Sequence, residues 1–249
     1  MSNASGTVLV TGGSRGIGAE AVLLLAREGH DVVFTYRERA EAAETVVRQV
    51  HALGGRAWAV QADMAAPDAP ERVLAQMPPD AAPLVGLVNN AGITGPLGTF
   101  ADTALDTMRR VLEVNVLGLY ALTQAVVRHW LAQGQPGVIV NVSSAAATLG
   151  SPGEYVHYAA SKAAVETFTL GLGKELAPHG IRVNCVSPGT SLTEIHAIAG
   201  DANKPARVAS RIPQGRAGEP QEIAEAIVWL LSPRSSYVTG TVLRVAGGL

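Results

Sequence analysis

The chain has 249 residues, 47% of them hydrophobic, which is enough to bury a substantial core. Its 19 Lys/Arg and 21 Asp/Glu leave a net charge of -2 with no block of like charge and no basic stripe, which argues against nucleic acid as a partner. The single cysteine, Cys185, lies in the apolar run Ile181–Val186 and offers neither a disulfide partner nor a thiolate metal cluster, so no metal site is expected.

Met1–Gly6 lacks a basic region followed by an apolar run, and no apolar segment approaches the length of a bilayer span, so a soluble cytoplasmic protein with no membrane partner is expected. From there, short apolar runs alternate with helical patterns. Strands are predicted at Thr7–Val10, Asp31–Tyr36, Arg56–Gln61, Leu84–Val88, Val138–Val142, Ile181–Val186 and Thr241–Val245. Between them, helices are predicted at Ala19–Arg27, Ala40–Leu53, Ala69–Gln76, Thr103–Leu131, around Tyr158, and at Gln221–Leu231. Several strands, such as Val8-Leu-Val10 and Val138-Ile-Val140, are apolar without alternation, as strands covered on both faces should be. The expectation is an α/β fold, a doubly wound parallel sheet of seven strands with helices on both faces. No Pro/Gly/Ser-rich linker divides it, so one domain over residues 1–249 is expected. The excursion at about 190–220, rich in Gly and Pro, reads as a substrate lid.

In such sheets the functional loops follow the carboxyl ends of the strands. After the first strand comes Thr11-Gly-Gly-Ser-Arg-Gly-Ile-Gly18, whose Gly12, Gly16 and Gly18 suit a turn that brings a pyrophosphate to a helix N-terminus. After the second comes Arg37, with no carboxylate at the strand tip; Arg37 and Arg15 form a candidate clamp for a 2'-phosphate, which favours NADP, while Glu38 keeps NAD as the alternative. Asp63, past the third strand, suits the adenine amino group or a helix cap. Asn89-Asn-Ala-Gly92, past the fourth, suits a close turn beside a cofactor ribose or a plain turn.

Tyr158 and Lys162, at i and i+4, share a helix face. A nearby ammonium favours the phenolate and would make Tyr158 usable as a general acid/base. Tyr155 has Ala159 at its i+4 position and so lacks that partner, and His157 points around the helix and reads as structural.

Taken together and in order, these motifs resemble the short-chain dehydrogenase/reductase family, in the form with a T-G-x-x-x-G-x-G turn and a Y-x-x-x-K site. The resemblance covers essentially the whole chain and rests on Thr11–Gly18, Asp63, Asn89–Gly92, Asn115, Ser144, Tyr158–Lys162, Asn184, and Pro188-Gly189 followed by Thr193. It implies a Rossmann-type domain, reversible hydride transfer between a nicotinamide and a small carbonyl or alcohol, and a homotetramer. By resemblance, Ser14, Arg15, Ile17, Ala91 and Gly92 line the cofactor with the turn glycines and Asn89. Tyr158 is the proton donor, Lys162 lowers its pKa and holds the ribose, Ser144 polarises the carbonyl, and Asn115 holds a water. Pro188 and Gly189 flank the nicotinamide, and Thr193 reaches its carboxamide. Ser143 stays open as the alternative to Ser144, because the interval to Tyr158 is slightly long for the family. Ala246 stands where the family often carries an acid.

Three other readings compete. An NAD-dependent sugar or alcohol dehydrogenase shares every motif. A regulator that binds cofactor without chemistry would share the fold. A hydrolase would use Ser14 in Gly12-Gly-Ser-Arg-Gly16, which formally matches a nucleophile elbow, although Thr11 and the extra glycine suit a nucleotide better.

Overall fold

The computed structural model describes residues 6–249; Met1–Ser5, on which part of the N-terminal reading rests, lie outside the described residues. All seven predicted strands form, within one or two residues of the expected ends: β1 (Thr7–Val10), β2 (Asp31–Tyr36), β3 (Ala57–Gln61), β4 (Leu84–Asn89), β5 (Gly137–Val142), β6 (Ile181–Pro188) and β7 (Val242–Val245). They make one fully parallel sheet in the order β3-β2-β1-β4-β5-β6-β7. The order reverses between β1 and β4, so the chain leaves their carboxyl ends in opposite directions and opens a crevice there.

Helices α1 (Gly16–Arg27), α2 (Ala40–Ala52), α3 (Ala69–Ala75), α4 (Leu105–Leu112), α5 (Leu119–Gln133), α6 (Ala146–Leu149), α7 (Val156–Leu176), α8 (Ile195–Ala199), α9 (Lys204–Val208) and α10 (Pro220–Leu231) complete the described chain. Successive strand residues face opposite sides, so Val8 and Val10 pack with α1, α2 and α10, whereas Leu9, Leu87 and Ile139 pack with Leu122, Val126 and Trp130 of α5. That two-sided burial explains the unbroken apolar runs in the sequence.

One expectation is corrected. Helices α4 and α5 join through a π-helical stretch, Glu113–Gly118, giving a continuous helical span Leu105–Gln133 of 29 residues, long and apolar enough by length and composition to cross a membrane. The helix itself is the one predicted at Thr103–Leu131; what is corrected is the expectation that no apolar segment approaches the length of a bilayer span. About half of its apolar stretch is buried inside the protein, with Leu122, Val126 and Trp130 fully covered by the sheet, as in a core helix of an α/β layer.

Candidate active site

The glycine turn forms because its backbone can go where other residues cannot. Gly12 and Gly16 take φ of +67° and +54°, and a Cβ on Gly18 would lie 2.2 Å from the Gly12 carbonyl oxygen. Arg15 precedes α1 in extended conformation without a side-chain cap, leaving the first N–H groups of the helix free to meet an anion. Thr11 Oγ1 accepts from the N–H groups of Asn90 and Ala91, and Asn90 Nδ2 donates to the carbonyls of Thr11 and Gly12, so the β1 and β4 turns are locked together at the crevice. Asn89 is turned away from it: the side chain is buried in the sheet and donates to Thr123 and Asn141. Alternation along β4 sends Asn89 inward, and its neighbour Asn90 is the residue that lines the crevice.

Beyond β2, the arginine arrangement differs from the expected pair. Arg37 Nη2 lies 2.5 Å from Glu38, while Arg15 and Arg39 meet on one carboxylate, Glu194 Oε2, at 3.1 and 2.5 Å. Burial would raise the Glu194 pKa, but the two guanidiniums outweigh it and hold the group ionised. Asp63 is held by the protein itself, one oxygen accepting from the Ala65 N–H at 3.0 Å and the other taking Arg110 at 2.5 Å; it does not cap α3, whose N-cap is Asp68.

Tyr158 and Lys162 project from α7 into a cavity of about 400 Å³ that also contains Ser144, Gly92, Gly189 and Thr193. A Cβ on Gly92 would come within 3.2 Å of Lys162 Nζ, so a larger residue there would press on the lysine. The Lys162 ammonium donates to the Val142 carbonyl at 2.8 Å and sits 5.7 Å from the centroid of the Tyr158 ring. Burial pushes the Tyr158 phenol up to about 12, against the pull of a hydrogen bond with Ser144, and pushes Lys162 down to about 8. In this structure, then, desolvation dominates, and the expected lowering of the tyrosine by its lysine is not seen. Cys185, buried close by, is pushed up to about 12 chiefly by desolvation and is an inert filler, as its strand position suggested.

The structure also separates the two serines. Both line the cavity, but Ser143 is buried and its hydroxyl donates to Glu166 Oε1 at 2.6 Å, whereas the Ser144 hydroxyl engages Tyr158. Asn115, in the π-helical stretch, is fully buried and satisfied: it accepts from the Ile93 N–H and donates to the Ile93 carbonyl and to Ser161. That stretch widens the helix where the amide must reach across to α7. His157 bonds the Thr94 carbonyl, as a structural histidine would. Pro188 and Gly189 are held by the Ala145 N–H and the Val245 carbonyl, and a Cβ on Gly189 would clash with Ala246. Thr193 sits over the glycine turn, 3.3 Å from where a Gly16 Cβ would be.

Sequence reasoning missed Arg39, Glu194 and a third group. Lys204 of α9 is buried and donates to Glu154 at 2.5 Å and to the Tyr155 hydroxyl, and its ammonium lies 4.5 Å from the Tyr155 ring centroid. Tyr155 in turn packs edge-on against Tyr158, with 5.2 Å between centroids. No local signal marks these partners, which are separated by 49 to 179 residues.

The glycine cradle, the free helix N-terminus and the adjoining cavity fit a dinucleotide with its reactive end beside Tyr158. Comparisons with known proteins agree. A family model described as Enoyl-(Acyl carrier protein) reductase matches residues 12–249. "Uncharacterized oxidoreductase YgfF" of Escherichia coli (strain K12) is 46% identical over 96% of this chain and 98% of its own length. "L-rhamnose 1-dehydrogenase (NAD(P)(+))" of Sphingomonas sp. (strain SKA58) is 40% identical over 98% and 95%. The crystal structure of a short chain dehydrogenase from Burkholderia cenocepacia J2315 in complex with NADP superposes with a TM-score of 0.86 at 38% identity, covering 98% of this chain and 97% of that one. The fold, the order of the motifs and these relatives together place the chain in the short-chain dehydrogenase/reductase family of oxidoreductases.

Proposed function

We propose that the protein is an NADP(H)-dependent oxidoreductase that transfers hydride reversibly between the nicotinamide and a small carbonyl or alcohol. The convergence of Ser144, Tyr158 and Lys162 in one cavity at the mouth of the glycine cradle carries this reading. The cofactor supplies the hydride; the chain supplies its binding and the proton. The turn N–H groups, Arg15, Ile17, Asp63, Asn90–Gly92, Lys162, Gly189 and Thr193 hold the dinucleotide. Ser144 donates to the carbonyl oxygen and polarises it, and Tyr158 delivers the proton as the alkoxide forms. Held neutral at pH 7 by burial, the phenol is in the form that donates, which suits reduction. Mixing the purified protein with NADPH and a panel of aldehydes, ketones and sugars, and following nicotinamide absorbance, tests the reading; a panel without turnover in either direction rejects it.

The preference for NADP rests on Arg15 and Arg39, which share an anion in the structure and so stand where a 2'-phosphate can take them both. Glu38 is already engaged by Arg37. Arg39→Ala should weaken NADPH binding by about ten-fold at fixed salt, the low end for a charge-assisted contact because the side chain is half exposed, and leave NADH unchanged. Equal losses for both nucleotides in a fluorescence titration would defeat the assignment.

The 190–220 segment acts in this reading as the lid, docked by Lys204 on Glu154 and Tyr155. Lys204→Met keeps the volume but removes the anchor, and is expected to raise the substrate KM about ten-fold with NADPH affinity unchanged. Steady-state kinetics with an NADPH titration checks this, and an unaltered KM removes the lid role. Exposed Leu112, Leu117 and Leu131 on the outside of the long helix, with Leu170 on α7, support a homotetramer; a monomer in light scattering would contradict it.

A further inference from the structure

We propose that Glu166 is a positioning residue for this reaction, one carboxylate oxygen tying together the two strand ends that carry Ser144 and the Pro188–Gly189 turn. The assignment rests on the oxidoreductase reading above. Glu166 lies one helical turn beyond Lys162 on α7. Its Oε1 accepts from Ser143 Oγ at 2.6 Å, at the end of β5, and from Ser187 Oγ at 3.0 Å, at the end of β6. Both serines are buried, and each directly precedes a residue of the site: Ser143 precedes Ser144, and Ser187 precedes Pro188. Ser143 Oγ also accepts from the Ser144 N–H, so the carboxylate reaches the backbone of Ser144 through a single hydroxyl. Alongside, Lys162 grips the Val142 carbonyl, and α7 therefore holds the end of β5 at two adjacent residues.

An apolar side chain would fill this half-buried position without desolvating a charge, so the carboxylate is better explained by what it holds than by packing. Glu166 does not line the cavity and touches neither the proposed substrate nor the cofactor; it acts through the serines. Its effect is to fix the separation between the hydroxyl that polarises the carbonyl, on one strand, and the backbone beside the nicotinamide, on the next. Hydride transfer is sensitive to that separation, because a displacement of about 1 Å in a reacting pair costs on the order of 100-fold in rate.

The test compares Glu166→Gln, whose carbonyl oxygen can accept both hydroxyls, with Glu166→Leu, which can accept neither. Glu166→Leu should lose about 30-fold in kcat, with the carbonyl KM and the NADPH affinity within about three-fold of wild type, and Glu166→Gln should restore most of the rate. Wild-type kcat in Glu166→Leu, or an equal loss in both variants, overturns the assignment, the second because it would mean that charge rather than the shared acceptor matters. If circular dichroism shows Glu166→Leu to be unfolded, Ser143→Ala and Ser187→Ala take its place; each should lower kcat several-fold, and wild-type rates in both overturn the proposal. The two levels of failure are distinct: a wild-type chain without turnover takes down the proposed reaction and this inference together, whereas normal wild-type turnover beside an unaffected Glu166→Leu takes down the role of Glu166 alone.

Discussion

Tyr158→Phe is expected to lower kcat by about 1000-fold while NADPH binds within about two-fold of wild type, because the substitution removes only the transferable proton from a buried ring that already packs on Tyr155. The ring stays, so the fold should not suffer. The pH dependence should report the same group. With the phenol pushed up to about 12 by burial, Tyr158 is protonated at neutral pH, so carbonyl reduction should hold its rate across neutral pH, and oxidation, which needs the phenolate, should climb steadily as pH rises from 7 to 10. Initial rates in both directions across that range provide the check. A Tyr158→Phe variant that turns over normally, or oxidation that is flat with pH, would remove this residue from the chemistry.

Lys162→Met should cost about 100-fold or more in kcat and yet stabilise the protein. The lysine is buried, and desolvation lowers its pKa from 10.5 to about 8, so at pH 7 the folded chain carries a cation that would be better solvated in the unfolded one. A shift of that size corresponds to roughly 3 kcal/mol, less whatever the hydrogen bond to Val142 returns. The sign follows from proton uptake. Below pH 8 both states bind the proton and the penalty is constant; between about 8 and 10.5 the unfolded state alone stays protonated, so wild-type stability rises with pH from this group and the advantage of the variant shrinks. Thermal melts of both proteins at pH 7 and pH 10 would show it, with a higher Tm for Lys162→Met at pH 7 and a smaller gap at pH 10. Equal melting temperatures at pH 7 would mean that the buried cation is compensated. The exchange of stability for a working site is common where an active site buries a charge.

Much of the architecture was legible because the signals that set it are local. The apolar runs of β1, β4 and β5 follow from burial on both faces, the glycine turn from positive φ at Gly12 and Gly16, and the pairing of Tyr158 with Lys162 on one helix face from 3.6 residues per turn. The long helix through Asn115 was legible as well, but its π-helical stretch was not, because that stretch is favoured by what the amide bonds across the fold rather than by its own sequence.

The sequence by itself thus determined the order of strands and helices, the turn that faces a dinucleotide, and the tyrosine and lysine that share a helix face. Tertiary structure alone decided which of two adjacent serines engages Tyr158, which arginine joins Arg15, which asparagine of Asn89 and Asn90 meets the crevice, and that the tyrosine is raised rather than lowered in pKa. The reason is physical. Spacing along a chain fixes only neighbours within a turn or along a strand, whereas burial and ion pairing depend on partners such as Glu166, Glu194 and Lys204, brought in from 21 to 179 residues away by the packing of the whole sheet.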